Sequence, residues 1–280
     1  MALPHETAAS EVAWRCLPFS TAPATVQLAS AEALLAGLDT QQRPVMRWYT
    51  ANAPALVLGT GQRPDAADLA ACTQAGVTLH RRSSGGTAVL LAPGFLMLDI
   101  ALPRTHRLHL SDVTESYRWL GAVWVATLGL LGLPARHIPI PEARADLQAL
   151  DQTTRLACFG GRSPYEVLVG ARKLVGLSQI RRRYGALLQA GIYLSWSPGD
   201  LAQLLALPAA AQALLTEQLT ARVAGLEELL PAPPDPPTIM AAFARALYEL
   251  EGVTLERASW STAELAAREQ AQARYVPITP

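Results

Sequence analysis

Lysine is almost missing from this 280-residue chain: of its 23 basic residues one, Lys173, is a lysine and the others are arginine. Asparagine is as rare, with Asn52 alone. A compositional habit favouring Ala, Leu and Arg accounts for the bias and leaves Lys173 open between chance and use. What arginine cannot supply is a compact ammonium whose proton affinity responds to burial. Cysteine is scarce too. Cys16, Cys72 and Cys158 form no CxxC pair and no even-numbered framework, which argues against a disulfide scaffold or a zinc site and points to a reducing compartment. An excess of either charge is lacking, 23 basic against 23 acidic side chains, so there is no basic footprint for nucleic acid. No apolar run is long enough for a membrane span: Trp119 to Pro134 holds three glycines and falls short of the ~20 residues required. It reads as a buried helix. Met1 to Ser10 carries His5 and Glu6 where a signal peptide would have a cationic start and an apolar core, so the expected location is the cytoplasm. A chain of this length buries roughly three quarters of its unfolded surface and folds without disulfides or metal.

What is present reads as strands and helices mixed early and helices late. Ser30 to Leu38 has a helical apolar face, Val45 to Thr50 and Ala55 to Leu58 are strand-like, and Asp65 to Ala75 is a short helix leading to a strand at Val77 to His80. Strands follow at Ala88 to Leu91 and Phe95 to Ala101. Asp112 to Leu131 is a long helix, with Ser111, Asp112 and Glu115 giving a start like a capping box. Val167 to Val169, Lys173 to Val175 and Leu187 to Leu194 read as strands separated by Gly170, Gly176 and Gly185. Helices are expected over Asp200 to Leu205, Ala209 to Leu230, Thr238 to Leu250 and Thr262 to Arg274. The pattern predicts an α+β core over residues 1–198 and a helical C-terminal extension over residues 199–280 packed on it.

Two segments carry chemistry. The first is Arg81-Arg82-Ser83-Ser84-Gly85-Gly86-Thr87-Ala88-Val89, a basic Ser/Gly turn whose backbone N–H groups can approach a polarised ligand closely. It reads equally as a solvated hairpin. It is not a nucleotide fingerprint, because neither GxGxxG nor the P-loop spacing occurs. The second is Ala157-Cys158-Phe159-Gly160-Gly161, inside a stretch from Arg155 to Arg183 with seven cations and one carboxylate, Glu166. Such a field would favour a thiolate, or attract an acidic partner, and the sequence does not divide the two. Cys16 and Cys72 read as core residues. The histidines, His5, His80, His106, His109 and His137, are scattered, and only composition supports a Cys/His pair.

Together these segments resemble the biotin/lipoate protein ligase superfamily. The first is similar to its Arg-Arg-x-Ser/Thr-Gly-Gly turn and Ala-Val strand, and Ala171 to Gln179 is similar to its glycine-lysine strand and glycine-serine-alanine turn. Arg47 to Gln62 resembles an early strand pair more weakly. Cys158-Phe159-Gly160-Gly161-Arg162-Ser163-Pro164-Tyr165-Glu166 resembles the Cys-Phe-x-x-Pro-Ser-x-Tyr-Glu segment of the cysteine-dependent octanoyltransferases of lipoate assembly, and Gly185 to Gly191 their Leu-Gln-His-Gly stretch. Three departures stand out: Leu91 and Ala190 occupy histidine positions, and Leu177 a small-residue position.

The resemblance implies the mixed, mostly antiparallel sheet flanked by helices that class II aminoacyl-tRNA synthetases and biotin ligases share. It implies that Cys158 takes octanoate from acyl carrier protein as a thioester and passes it to a lysine of a lipoyl domain, glycine-cleavage H protein included, without ATP, metal or other cofactor. Lys173, fifteen residues after Cys158, falls on the catalytic lysine position and would contact the acyl carbonyl. Arg81, Arg82, Ser83, Ser84, Gly85, Gly86, Gly176, Ser178 and Gln179 would bind substrate, and Val89, Leu91 and Leu98 are candidates for the acyl slot. The departures keep three other readings open: an octanoyl-[H protein]:protein amidotransferase, an ATP-dependent lipoate ligase, and a non-catalytic acyl-binding homologue.

Overall fold

A computed structural model describes residues 12–279; Met1 to Ser10, with His5 and Glu6, lies outside them. In chain order the strands are β1 (Trp14–Cys16), β2 (Ser20–Ala22), β3 (Val45–Ala51), β4 (Ala55–Leu58), β5 (Thr78–Arg81), β6 (Val89–Leu91), β7 (Phe95–Pro103), β8 (Ala135–His137), β9 (Val167–Val169), β10 (Arg172–Arg182), β11 (Gly185–Tyr193) and β12 (Leu255–Arg257). The helices are α1 (Ala24–Gly37), α2 (Leu69–Gln74), α3 (Arg118–Leu130), α4 (Ile140–Ala149), α5 (Pro198–Ala202), α6 (Ala209–Arg222), α7 (Leu226–Leu229), α8 (Pro236–Glu251) and α9 (Thr262–Gln272).

A large sheet runs β12-β1-β3-β7-β11-β10-β9-β8, with β2 beside β3, and a small one runs β5-β4-β6. From β3 to β8 every neighbour along that order is antiparallel, while β1 and β12 add a parallel edge. The expected α+β fold is therefore the observed one. Every residue of β3 and of β11 is buried, the pattern of strands covered on both faces. One face packs on α3 and α8, where Trp48, Trp124 and Phe243 meet edge to face or tilted at 5.2–5.8 Å between ring centroids. The run from Trp119 is thus a buried helix, and among the described residues no helix is long and apolar enough to cross a membrane.

The structure corrects several expected elements. The helix expected from Asp112 begins at Arg118. Asp112 Oδ1 does accept from the N–H of Thr114 and Glu115, but Glu115 accepts from the Tyr165 hydroxyl at 2.7 Å and closes no capping box, so a 3₁₀ turn intervenes. Asp65 to Ala75 likewise splits into a 3₁₀ turn and α2, which Asp68 caps through Ala71 N–H. Gly176 and Gly185 are strand residues rather than breaks, whereas Gly170, at φ 59°, is a turn. The helix expected over Ala209 to Leu230 ends at Arg222. Val223 bridges Lys173 in parallel and Ala224 N–H donates to Lys173 O at 3.0 Å, so pairing with β10 overrides helical periodicity. The region after residue 198 is not helical throughout, since β12 returns to the sheet edge beside β1.

Candidate functional site

The two chemical segments meet through the backbone. Ala88 forms a parallel bridge with Ala157; Ala88 N–H donates to Leu156 O at 3.0 Å and Cys158 N–H to Ala88 O at 2.8 Å. This sews the cysteine loop to the residue that follows the Gly85-Gly86-Thr87 turn. The close approach depends on Gly86, which has φ 86° and where a Cβ would stand 2.8 Å from Arg82 Nη2 and 3.3 Å from Cys158 Sγ. Gly59 passes the same turn so closely that a Cβ there would lie 1.8 Å from Gly86 O. Gly86→Ala is therefore expected to lower thiol-dependent turnover by at least about a hundredfold, the scale of an ångström-sized misplacement, while the bulk of the fold survives. Activity measured beside a thermal melt checks this.

Cys158 is half-buried and lies between two cavities. An open cleft of about 410 Å³ is lined by Gly85, Gly86, Thr87, Tyr117, Arg155, Cys158, Glu166, Ser178 and Gln179, among others. A mostly apolar slot of about 40 Å³ lies between Val89, Phe95, Met97, Phe159, Leu177 and Ala190, with Arg82 and Gln189 on its wall. Of the residues expected in an acyl slot, Val89 lines it; Leu91 and Leu98 are absorbed into the hydrophobic cores. Gly176 makes room for the Phe159 ring, 2.8 Å from where a Cβ would stand. Two of the sequence departures face each other: Leu177 and Ala190 are register partners on β10 and β11, a long side chain opposite a short one.

Lys173 is buried, 1% exposed, behind the cleft wall. Its ammonium donates to Cys158 O at 3.0 Å, Gly161 O at 2.6 Å and Glu166 Oε2 at 3.0 Å, and sits 4.8 Å from the centre of the Phe159 ring. Glu166 also accepts from the N–H groups of Ser163 and Leu177. A bulge between Lys173 and Val175 marks the place in β10 where this side chain turns inward. The remaining cations of the block do not form one field around the thiol. Arg155 donates to Leu147 O and Leu150 O, Arg162 to Ala171 O, Arg181 to Leu110 O and Ser111 O, and Arg172 pairs with Glu228. The cation that reaches Cys158 comes from the other segment: Arg82 Nη2 stands 3.6 Å from Sγ.

Of the remaining expected residues, Gly85, Gly86, Gly176, Ser178 and Gln179 line one or other cavity beside Cys158. Arg81 and Ser83 do not. They line a separate cavity of about 380 Å³ behind the turn, where Ser83 Oγ and the Tyr275 hydroxyl share a 2.7 Å hydrogen bond and each lies 3.2 Å from Glu32 Oε2, which accepts from whichever hydroxyl is not donating to the other. Ser84 is buried away from both cavities. Among the described residues no histidine lines the cleft or the slot; His80 is buried, with its ring nitrogens on Tyr275 O and Thr78. Sequence reasoning missed Tyr117, whose phenol burial pushes up to about 12 against the opposing pull of Gln179, so it stays protonated as a donor. It also missed a buried chain that ends in the cleft. Arg47 pairs with Asp99 at 2.6 Å, Gln189 donates to Asp99 at 2.8 Å, and Ser178 donates to Gln189 at 3.3 Å. Its one signal was a lone charge: Asp99 stands within an otherwise apolar strand.

The sequence model of the lipoyl protein ligase A/B catalytic domain matches residues 23–248. The chain belongs to this family. Among relatives, an octanoyltransferase LipM of Kyrpidia tusciae is 31% identical over 94% of this chain and 96% of its own. One of Moorella thermoacetica is 30% identical over 94% and 95%. Among solved structures, a chain of the archaeal lipoylation system of Thermoplasma acidophilum, a bipartite lipoate protein ligase and its E2 lipoyl domain, superposes with a TM-score of 0.74 at 19% identity. It covers 94% of this chain and 92% of that one. A lipoate-protein ligase A bound with ATP gives 0.73 at 19% identity, with 94% and 95% coverage. At these identities the structural likeness speaks for the fold, which is that of the lipoyl protein ligase family.

Proposed function

We propose that this protein is an octanoyltransferase of lipoate assembly that works through a Cys158 thioester. The observation that carries the reading is the placement of Cys158: a half-buried thiol where two turns are stitched together, with an apolar slot on one side and an open cleft on the other. Full-length similarity to proteins named octanoyltransferase LipM supports it. The octanoyl chain enters the slot, which is wide enough as it stands for only a few waters, so Met97, a flexible side chain, shifts to admit it. The Cys158 sulfur attacks the thioester carbonyl of octanoyl-acyl carrier protein. The carbon–sulfur bond to the carrier breaks, and the carrier thiol leaves with a proton. A neutral lysine amine of a lipoyl domain then attacks from the cleft, the amide forms, and Cys158 departs as thiolate, taking up the proton that the amine sheds. Exchange between thioesters is nearly balanced and thioester to amide runs downhill, so the reaction needs no ATP. Tyr117, Ser178 and Gln179 line the face that the acceptor approaches, and Lys173 holds the carbonyls of Cys158 and Gly161 in place.

The test supplies one lipoyl domain with three octanoyl sources: octanoyl-acyl carrier protein, octanoylated H protein, and free octanoate with ATP. Transfer from the carrier protein in the absence of ATP is expected. Transfer from H protein alone makes the protein an amidotransferase, transfer only with ATP makes it a ligase, and no transfer makes it a binding homologue; each of these contradicts the proposal.

A further inference from the structure

Four polar side chains stand in one row across the large sheet. Arg47 on β3 is the register partner of Asp99 on β7, Asp99 of Gln189 on β11, and Gln189 of Ser178 on β10. Register partners share a face of the sheet and lie within reach of each other. The next row on that face, Val45, Ala101, Leu187 and Ile180, is apolar throughout. Arg47, Asp99 and Gln189 are buried. A polar row so placed is tolerated only where each member has its partners, and this one ends at the reaction site.

Its hydrogen bonds run in one direction. The Arg47 guanidinium has donors only: Nε and Nη2 reach Asp99 Oδ2 at 2.8 and 2.6 Å, while Nη1 and Nη2 also donate to Gln27 on α1. The Asp99 carboxylate accepts only, so it takes Gln189 Nε2 at 2.8 Å and fixes which way that amide faces. Gln189 Oε1 is thereby turned to Ser178, whose hydroxyl donates its single proton there at 3.3 Å. Swinging that proton into the cleft would leave Gln189 Oε1 buried without a donor, which is costly. No described residue donates to Ser178 Oγ in return, so its lone pairs are open. Ser178 lines both the cleft and the slot, as Cys158 does. The carboxylate on the cleft wall, Glu166, is by contrast engaged by Lys173 and by the N–H groups of Ser163 and Leu177.

We propose that Ser178 receives the acceptor lysine: with its proton given to Gln189, its oxygen accepts an N–H of the attacking amine beside the Cys158 thioester, and Arg47, Asp99 and Gln189 are positioning residues that hold it in the accepting state. A neutral primary amine carries two N–H bonds beside the lone pair it uses for attack, and one of them on Ser178 Oγ fixes where that lone pair points. As the nitrogen–carbon bond forms and the carbon–sulfur bond breaks, the nitrogen gains positive charge, so this hydrogen bond strengthens in the transition state. The proton the amine sheds passes to the leaving Cys158 sulfur, as in the reaction above, and not to the serine. A thiolate that attacks the same intermediate brings no N–H and gains nothing from Ser178. The row therefore favours forward transfer to the amine over return of the acyl group to the carrier thiol. This role rests on the octanoyl-transfer reading above.

The experiment isolates the octanoyl-enzyme of wild type, Ser178→Ala and Gln189→Met and follows its discharge to two nucleophiles, a lipoyl domain and the free thiol of unacylated acyl carrier protein, with thermal unfolding recorded for each variant. Ser178→Ala is expected to slow discharge to the lipoyl domain about tenfold, the worth of one hydrogen bond, and to leave discharge to the thiol within about threefold of wild type. Gln189→Met frees the serine proton and is expected to slow the amine reaction in the same direction by a smaller factor. A loss that both nucleophiles share equally is what a structural role gives, and it overturns the proposal. Discharge of Ser178→Ala to the lipoyl domain within about threefold of wild type overturns it too, and an unchanged Gln189→Met overturns the part given to the row; each of these leaves the transfer reading intact. A wild type that forms no adduct overturns the transfer reading, and this role with it.

Discussion

Cys158→Ala is expected to abolish transfer of octanoate from acyl carrier protein to a lipoyl domain and to leave the protein folded. Removing the nucleophile of a covalent mechanism costs on the order of 10⁶-fold in turnover, because every other group in the site acts through the bond it makes. The stability effect is small by comparison. The thiol is half-buried, the side-chain neighbour its sulfur bonds is Arg82 at 3.6 Å, and the interaction that fixes the loop is the Cys158 N–H on Ala88 O, which alanine keeps. A change within about 1 kcal/mol is expected, the size typical of substitutions that create neither a cavity nor an unpaired polar group. Transfer rate and thermal midpoint, measured on one preparation, check both halves. A Cys158→Ala protein that still transfers octanoate would remove the thioester from the mechanism.

The second large effect is expected at Lys173, and it should appear in stability as well as rate. Lys173→Met deletes the partner of a carboxylate that is 2% exposed, together with the donor that joins Cys158 O to Gly161 O. Breaking a buried ion pair from one side costs about 3–5 kcal/mol, because the remaining charge stays buried. In a chain of this size that lowers the thermal midpoint by roughly 10 °C. Lys173→Met combined with Glu166→Gln removes the stranded charge and is expected to recover part of that loss. Lys173→Arg keeps the charge and still fails in a different way. A planar fork cannot direct its N–H groups at three acceptors gathered round a single point, and its extra bulk presses on the Phe159 ring that lies 4.8 Å from the ammonium. The loop shifts, and transfer is expected to fall at least about a hundredfold. Near-normal turnover by Lys173→Arg would show that charge alone matters there. Thermal melts and single-turnover rates of the three variants separate these outcomes.

The lone lysine of an arginine-rich chain is the buried ammonium that ties Cys158 O, Gly161 O and Glu166 together, a placement that composition could not show. Local signals were legible. The Ser/Gly turn, the Cys-Phe-Gly-Gly segment, the strands at Val45, Ala55 and Val167, and the buried helix after Trp119 all lie close to where their residues predict, because turn chemistry and apolar periodicity act over a few neighbours. What was hidden depends on contacts between distant segments. Nothing near Lys173 announces that Val223 and Ala224 will pair with its strand and end a helix early. The Ala88–Ala157 bridge that brings Arg82 to the thiol joins segments about 70 residues apart. Arginines that read as one cationic field are separated by the carbonyls and carboxylates they each find. The two departures at Leu177 and Ala190 looked independent along the chain and become one feature once β10 and β11 are in register.

The covalent intermediate is the centre of the account, and intact-mass analysis of the full-length protein incubated with octanoyl-acyl carrier protein, without ATP, tests it most directly. The account predicts a gain of one octanoyl group that hydroxylamine removes, that peptide mapping places on Cys158, that Cys158→Ala does not acquire, and that a lipoyl domain discharges. Turnover with no adduct under rapid quench, or an adduct that persists in Cys158→Ala, would contradict it.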